Sequence, residues 1–327
     1  MKNGNLISII IPTYKGEKSI SDLVKELINV FNDYKIEIII VNDCSPDDLT
    51  HNICLELHSK FPDKITYMKL SKNFGEHNAI MAGLRNCAGD IAIIMDDNQI
   101  IPSEAVKLAD YTLENNFDVV FCKYTEKKDS FLRNLMSKIA NYSAEIFLKK
   151  PKDIYFSSFK AIKKNLISQV IKYKGPFPYI DGLILSASSN LGSFEVTHSS
   201  RKKGQSSYTL GKLARHYANL TTNFSTVPIH IFSIIGFFLT IVSFLFIVSI
   251  IIEKILNPNL PLGYSTIISV IFFFSGVQML FLGLIGEYVG KILKNVNKEE
   301  QYIINYIKKK KRIIKNYLLA LLLFQYH

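Results

Sequence analysis

LSKNFGEHNAIMAGLRNCAGDIAIIMDDN (residues 70–98) is the stretch on which the fold is read. Leu70 closes a strand-length apolar run that begins at Ile65. Glu76–Asn86 then repeats apolar residues at helical spacing, and Ile91–Met95 is a second aliphatic run that opens onto Asp96, Asp97 and Asn98. The same alternation extends outward on both sides. Leu6–Ile11, Ile36–Val41 and Phe117–Cys122 read as strands, and Glu17–Phe31, Asp47–Ser59 and Ser103–Asn115 as amphipathic helices. Strands alternating with helices predict an α/β domain around a mostly parallel sheet covered on both faces.

Ligands of such sheets bind beyond the carboxyl ends of the strands. After the first strand come Pro12, Tyr14 and Glu17; after the second, Asp43; after the fourth, Asp96, Asp97 and Asn98. A carboxylate at the mouth of strand two suits a base N–H or a ribose hydroxyl. An acidic cluster after strand four suits a hard divalent cation on phosphate. Each residue alone also suits a helix cap or turn, but their gathering on one sheet edge favours a site. Neither GxGxxG nor GxxxxGK[ST] occurs, so neither dinucleotide nor P-loop chemistry is indicated.

The second half of the chain differs. No Asp, Glu, Lys or Arg occurs from His216 to Ile252, or from Ile255 to Gly286. Each stretch holds about 20 apolar residues, enough for a bilayer core, so spans are expected near Ile229–Ile251 and Ser265–Gly286. Residues 291–315 carry nine Lys/Arg against Glu299 and Glu300, supplying +7 of the net +11. The positive-inside rule then places both ends in the cytosol. Without stacking aromatics or a known module, the Lys308–Arg312 run points to anionic lipid headgroups and not to nucleic acid. The composition excludes a disordered chain, a collagen-like repeat and a small disulfide scaffold. Four cysteines without metal-type spacing read as reduced thiols. The N-terminus lacks the apolar core of a signal peptide, so the first domain is expected to stay cytosolic.

SIIIPTYKGE (8–17), EIIIVNDCSPDD (37–48), the 70–98 stretch, RKKGQSSYT (201–209) and GEYVGKI (286–292) together resemble the family 2 glycosyltransferases of the GT-A fold. They look most like the membrane-anchored polyprenyl-phosphate group related to dolichol-phosphate mannose synthases. The resemblance implies a GT-A domain (Rossmann-like) plus a two-helix transmembrane anchor. It gives Asp43, Pro12, Tyr14, Glu17 and Asp97 to the donor, and Asp96 and Asn98 to Mg²⁺ or Mn²⁺ as the outer positions of a DxD motif. Arg201, Ser206 and Tyr208 go to phosphate and acceptor, with Arg201 and Asp96 counted as catalytic, and Ser130–Lys149 becomes a bilayer-facing helix.

Three positions depart from that pattern: Asn98 for Asp, Gln205-Ser206-Ser207 for Glu-Ser-Lys, and Ser158 where many relatives carry a carboxylate proposed as base. Asp181 is the favoured substitute, and it equally suits a helix N-terminus. The implied reaction is inverting, metal-dependent transfer of one sugar from a nucleotide sugar, a UDP-sugar foremost, to polyprenyl phosphate at the bacterial inner membrane. A phosphate acceptor is already ionised and needs positioning more than deprotonation. The rivals are transfer to a lipid-diphosphate-linked O-antigen saccharide, and a non-catalytic scaffold keeping the fold. The chain is divided into a cytosolic GT-A domain at 1–210, an interfacial segment at 211–228, a transmembrane hairpin at 229–290 and a basic cytosolic tail at 291–327. The identity of the sugar and the oligomeric state, a homo-oligomer included, stay open.

Overall fold

The structure is a computed structural model that describes residues 4–97, 101–124, 151, 153–196, 227–256 and 263–311. The chain divides into two compact units, one of residues 1–206 with 300–327, the other of 207–299.

The first unit is the α/β domain. Its strands are β1 (Leu6–Thr13), β2 (Lys35–Asn42), β3 (Ile65–Leu70), β4 (Ile91–Ile94), β5 (Val119–Tyr124), β6 (Lys160–Lys163), β7 (Leu191–Val196) and β8 (Ile304–Lys308). They form one sheet in the order β7-β5-β6-β4-β1-β2-β3-β8. The β4-β1-β2-β3 centre is parallel, while β6 runs antiparallel to β4 and β5, and β8 runs antiparallel to β3. The expected mostly parallel α/β sheet is therefore present, with antiparallel additions on both flanks.

The central strands are buried on both faces, which is why they read as unbroken aliphatic runs instead of alternating ones. Ile7, Ile9 and Ile11 pack with Ile20, Leu23, Val24 and Leu27 of α1 (Ile20–Val30), with Cys54 and Leu57 of α2 (Asp48–Lys60), and with Ala105 and Leu108 of α4 (Pro102–Glu114). On the opposite face α3 (Glu76–Asn86) lies so close that a Cβ at Gly83 would overlap Ile10. Helix α1 starts at Ile20, later than the expected Glu17, because residues 17–19 form a turn closed by the Ser19 and Ile20 N–H groups on the Gly16 carbonyl.

Two short helices, α5 (Lys164–Val170) and α6 (Ile180–Ala187), follow β6. The second unit holds α7 (Val227–Leu256), 30 residues long, and α8 (Tyr264–Val296), 33 residues long. By length and composition one segment among the described residues, Phe273–Val296, is long and apolar enough to cross a membrane. The expected Ser130–Lys149 helix lies outside the described residues.

Candidate active site

The site is built where β1, β2 and β4 end side by side. Thr13 and Asn42 are register partners at the last pair of β1 and β2. The pairing of β1 with β4 stops earlier, at Ile10–Ile94. Pro12 fits inside this central strand for that reason. Its missing N–H would have pointed toward β4, where the Met95 N–H, bonded to the Ile10 carbonyl, closes the ladder.

The chain leaving β4 carries Asp96 and Asp97. Thr13 Oγ1 donates to Asp97 Oδ2 at 2.6 Å, tying the two strand mouths together. Gly16 completes this contact, since a Cβ there would overlap both Thr13 Oγ1 and Asp97 Oδ2. Burial, with Asp96 adding and Thr13 opposing, pushes the Asp97 carboxyl up to about 6. Asp96 is reached from a different element: Ser158 Oγ donates to Asp96 Oδ2 at 2.8 Å.

Asp43 is 4% exposed. Its two carboxylate oxygens accept the backbone N–H groups of Phe74 and Gly75, each at 2.8 Å, just ahead of α3. Gly75 reaches this position with φ +93, open to glycine and strained for other residues. Burial raises the Asp43 carboxyl, and the two N–H groups only partly offset it. Beside Asp43, Asn42 Oδ1 accepts from both the N–H and the hydroxyl of Ser45 at 2.8 Å, and Ser45 Oγ accepts the Lys15 N–H at 2.9 Å. Cys44 and Lys15 hold φ values of 54 and 59 in these two turns. Tyr14 is 48% exposed beside them, and Glu17 accepts from Thr50 Oγ1 at 3.4 Å.

Asp181 lies in the first turn of α6 and is ion-paired with Lys160, the first residue of β6. The two side chains are 9% and 3% exposed, and the Lys160 ammonium also lies 5.3 Å from the Phe121 ring centroid. The carboxylate favoured as a base is thus held by an ammonium two residues from Ser158.

Sequence reasoning missed Lys160 as the partner of Asp181, Ser158 as a donor to Asp96, and Glu76. Glu76 stands exposed at the first turn of α3, yet its surroundings disfavour a further negative charge. Crowding of the carboxyl by the protein around it, then Asp96, Asp181 and Asp43, push it up to about 8 against the pull of Lys160. Its position inside the quoted 70–98 stretch was the available signal. Of the remaining expected site residues, Asn98, Arg201, Ser206 and Tyr208 lie outside the described residues.

The donor set can be tested against a divalent cation. Among the described residues no group of three His, Cys, Asp or Glu is placed to hold one. Asp96 and Asp97 nevertheless give two adjacent carboxylates, the hard oxygen donors that Mg²⁺ or Mn²⁺ takes. Such ions are commonly held by one or two carboxylates with substrate phosphates completing the shell. The residues present fit that arrangement and do not fit an all-protein cage.

The chain is 27% identical over 317 residues to the undecaprenyl-phosphate 4-deoxy-4-formamido-L-arabinose transferase of Proteus mirabilis (strain HI4320), covering 95% of this chain and 97% of the relative. It is 29% identical over 308 residues to the protein of that name from Edwardsiella ictaluri (strain 93-146), covering 93% and 94%. A mycobacterial protein of known crystal structure shares the fold at TM-score 0.50 and 17% identity, over 68% of this chain and 75% of that one. The model of the family described as glycosyl transferase family 2 matches residues 8–171, half of the 327-residue chain. This chain belongs to glycosyl transferase family 2.

Proposed function

We propose that this glycosyltransferase transfers one sugar from a nucleotide-sugar donor, a UDP-sugar foremost, to polyprenyl phosphate, with inversion at the anomeric carbon. The observation that carries the acceptor class is the Lys160–Asp181 pair. A sugar hydroxyl needs a positioned base, worth about 10²–10⁴ in rate, and the favoured carboxylate is occupied by an ammonium. A lipid phosphate presents an oxygen that is already ionised and asks only for alignment. The names of the relatives, which are undecaprenyl-phosphate transferases along nearly the whole chain, support the same acceptor.

In this reading Asp43 and the Asn42–Ser45 turn receive the nucleoside, with Pro12, Tyr14 and Glu17 around it. Asp96 and Asn98, with Asp97 beside them, hold Mg²⁺ or Mn²⁺, which when bound neutralises the departing diphosphate. Thr13 and Ser158 orient those two carboxylates. Arg201, Ser206 and Tyr208 belong to the phosphate side. Residues 1–210, completed by β8 of the C-terminal segment, form the catalytic domain facing the cytoplasm, and 229–290 a helical hairpin in the bacterial inner membrane. The exposed lysines Lys294, Lys298, Lys308, Lys309 and Lys311 meet anionic lipids.

The test is the purified protein in detergent with Mn²⁺, undecaprenyl phosphate and a panel of radiolabelled nucleotide sugars. Label moving into the organic phase, and staying behind in Asp96→Ala, supports the proposal and names the donor. Label reaching only a lipid-diphosphate saccharide refutes the acceptor. No transfer to either acceptor, with no nucleotide binding, refutes the enzymatic reading.

A further inference from the structure

From Gln301 to Lys311 the segment after α8 is seated on the catalytic domain. Gln301 Nε2 donates to the Gly175 carbonyl at 2.7 Å, and Arg85 lies 5.6 Å from the Tyr302 ring centroid. The Ile303 carbonyl accepts the Ser71 N–H at 2.9 Å, and β8 pairs with β3 from Ile304 to Lys308. The Lys310 and Lys311 N–H groups bond Thr66 Oγ1 and the Pro62 carbonyl at 3.1 and 2.8 Å.

Two side chains carry this seating inward. Lys310 forms an ion pair with Glu37, which is 1% exposed. The other oxygen of Glu37 accepts Ser8 Oγ and the Ala88 N–H, both at 2.6 Å, so one carboxylate joins β1, β2, the α3–β4 turn and the C-terminal segment. The second is Tyr306, whose ring centroid lies 5.5 Å from His51 and 6.1 Å from Tyr67. His51 Nδ1 is 2.7 Å from the Tyr67 hydroxyl, which accepts from Asn42 Nδ2 at 3.4 Å. Asn42 then holds Ser45, and Ser45 holds Lys15. An unbroken chain of contacts runs from β8 to the turns flanking Asp43 and Tyr14.

We propose that Gln301–Lys311 is a positioning element of the donor pocket, with Lys310 as its anchor and Tyr306 as the group that steadies the Asn42–Ser45 turn. The proposal rests on the donor reading of that turn. Neither residue is part of the turn itself: Tyr306 acts through His51, Tyr67 and Asn42, and Lys310 acts by fixing the segment on Glu37. Binding geometry at such turns depends on side chains locked by their neighbours, so loss of the lock is felt in donor affinity before it is felt in chemistry.

The test uses the full chain in detergent, comparing Tyr306→Ala, Lys310→Arg and the double variant Glu37→Gln/Lys310→Met, which leaves no buried charge unpaired. Amide hydrogen exchange in residues 12–17 and 42–47 should quicken about tenfold in the first and third. It should match the wild type in Lys310→Arg. Titration with UDP and Mn²⁺ should show dissociation constants about tenfold weaker in the same two variants, with kcat at saturating donor within about threefold. Faster exchange confined to 301–311, with UDP binding unchanged, overturns the proposal. If the wild type itself binds no UDP, the donor reading fails for that nucleotide, and hydrogen exchange alone still decides the coupling.

Discussion

The Lys160–Asp181 pair supports a sharp prediction, because removing either partner strands a charge in a site where the side chains are only 3% and 9% exposed. Breaking a buried pair costs about 3–5 kcal/mol. The cost has a ceiling, since the stranded group can change its protonation state. At pH 7.5 an ordinary lysine, near about 10.4, sheds its proton for about 4 kcal/mol, and an ordinary aspartate, near about 3.9, gains one for about 5 kcal/mol. Asp181→Asn and Lys160→Met are therefore each expected to lose about 3–5 kcal/mol at that pH. Lys160→Met/Asp181→Leu should regain most of the loss.

The chain has no Trp, so thiol chemistry is the convenient reporter. Cys54 and Cys122 are fully buried in the sheet domain, and burial pushes the Cys54 thiol up to about 12. A thiol-reactive dye thus reads unfolding of this domain during a thermal ramp. Single variants as stable as the wild type, or a double variant no better than the singles, would each refute the reasoning. Activity of the double variant separates the roles. An anchoring Asp181 leaves kcat within about tenfold, and a catalytic base costs about 10²–10⁴.

Gly16→Ala should lower kcat/KM about 10²-fold while the melting temperature stays near the wild type, because its methyl displaces Asp97 and a shift of about 1 Å at a reacting centre has that effect; steady-state kinetics check it. Glu76→Gln should be more stable than the wild type by a margin that grows as pH rises from about 5 to about 8, since the raised carboxyl loses its proton on unfolding over that window; thermal ramps across pH read the trend. Asp43→Ala should destabilise the domain by about 1–3 kcal/mol through the two N–H groups it leaves unpaired, and should weaken UDP binding in the same preparation, measured by calorimetry.

The parts of the fold that were legible are those with a local cause. The β1–β4 strands announce themselves as aliphatic runs because both faces are buried, and the helix expected at Asp47–Ser59 forms at Asp48–Lys60 behind an Asp47 cap on the Thr50 N–H. Three strands gave no such signal. β6 is only four residues, Lys-Ala-Ile-Lys, and β7 contains Gly192 and Glu195. β8 reads as the start of a charge run, and what makes it a strand is β3, far away in sequence. The site divides in the same way. Asp96, Asp97 and Asp43 follow strands and were found by position. Their partners Thr13, Ser158 and Gly75 were not, because each contact is set by which strand ends beside which. The Lys160–Asp181 pair joins β6 to α6, and nothing in either local pattern points to the other.

The lateness of β8 in the chain has a consequence for biosynthesis. Its partner strand β3 is finished at Leu70, and Ile304 follows 234 residues later. At about 5–20 residues per second, the ribosome leaves that edge without its neighbour for about 12–47 s. Throughout that interval β3 offers unpaired backbone groups to any extended chain nearby, and Glu37 is without its ammonium. Both long helices are also translated within it. A nascent chain that stalls before residue 304 is therefore an adhesive intermediate, and a chaperone that shields strand edges has its natural client here.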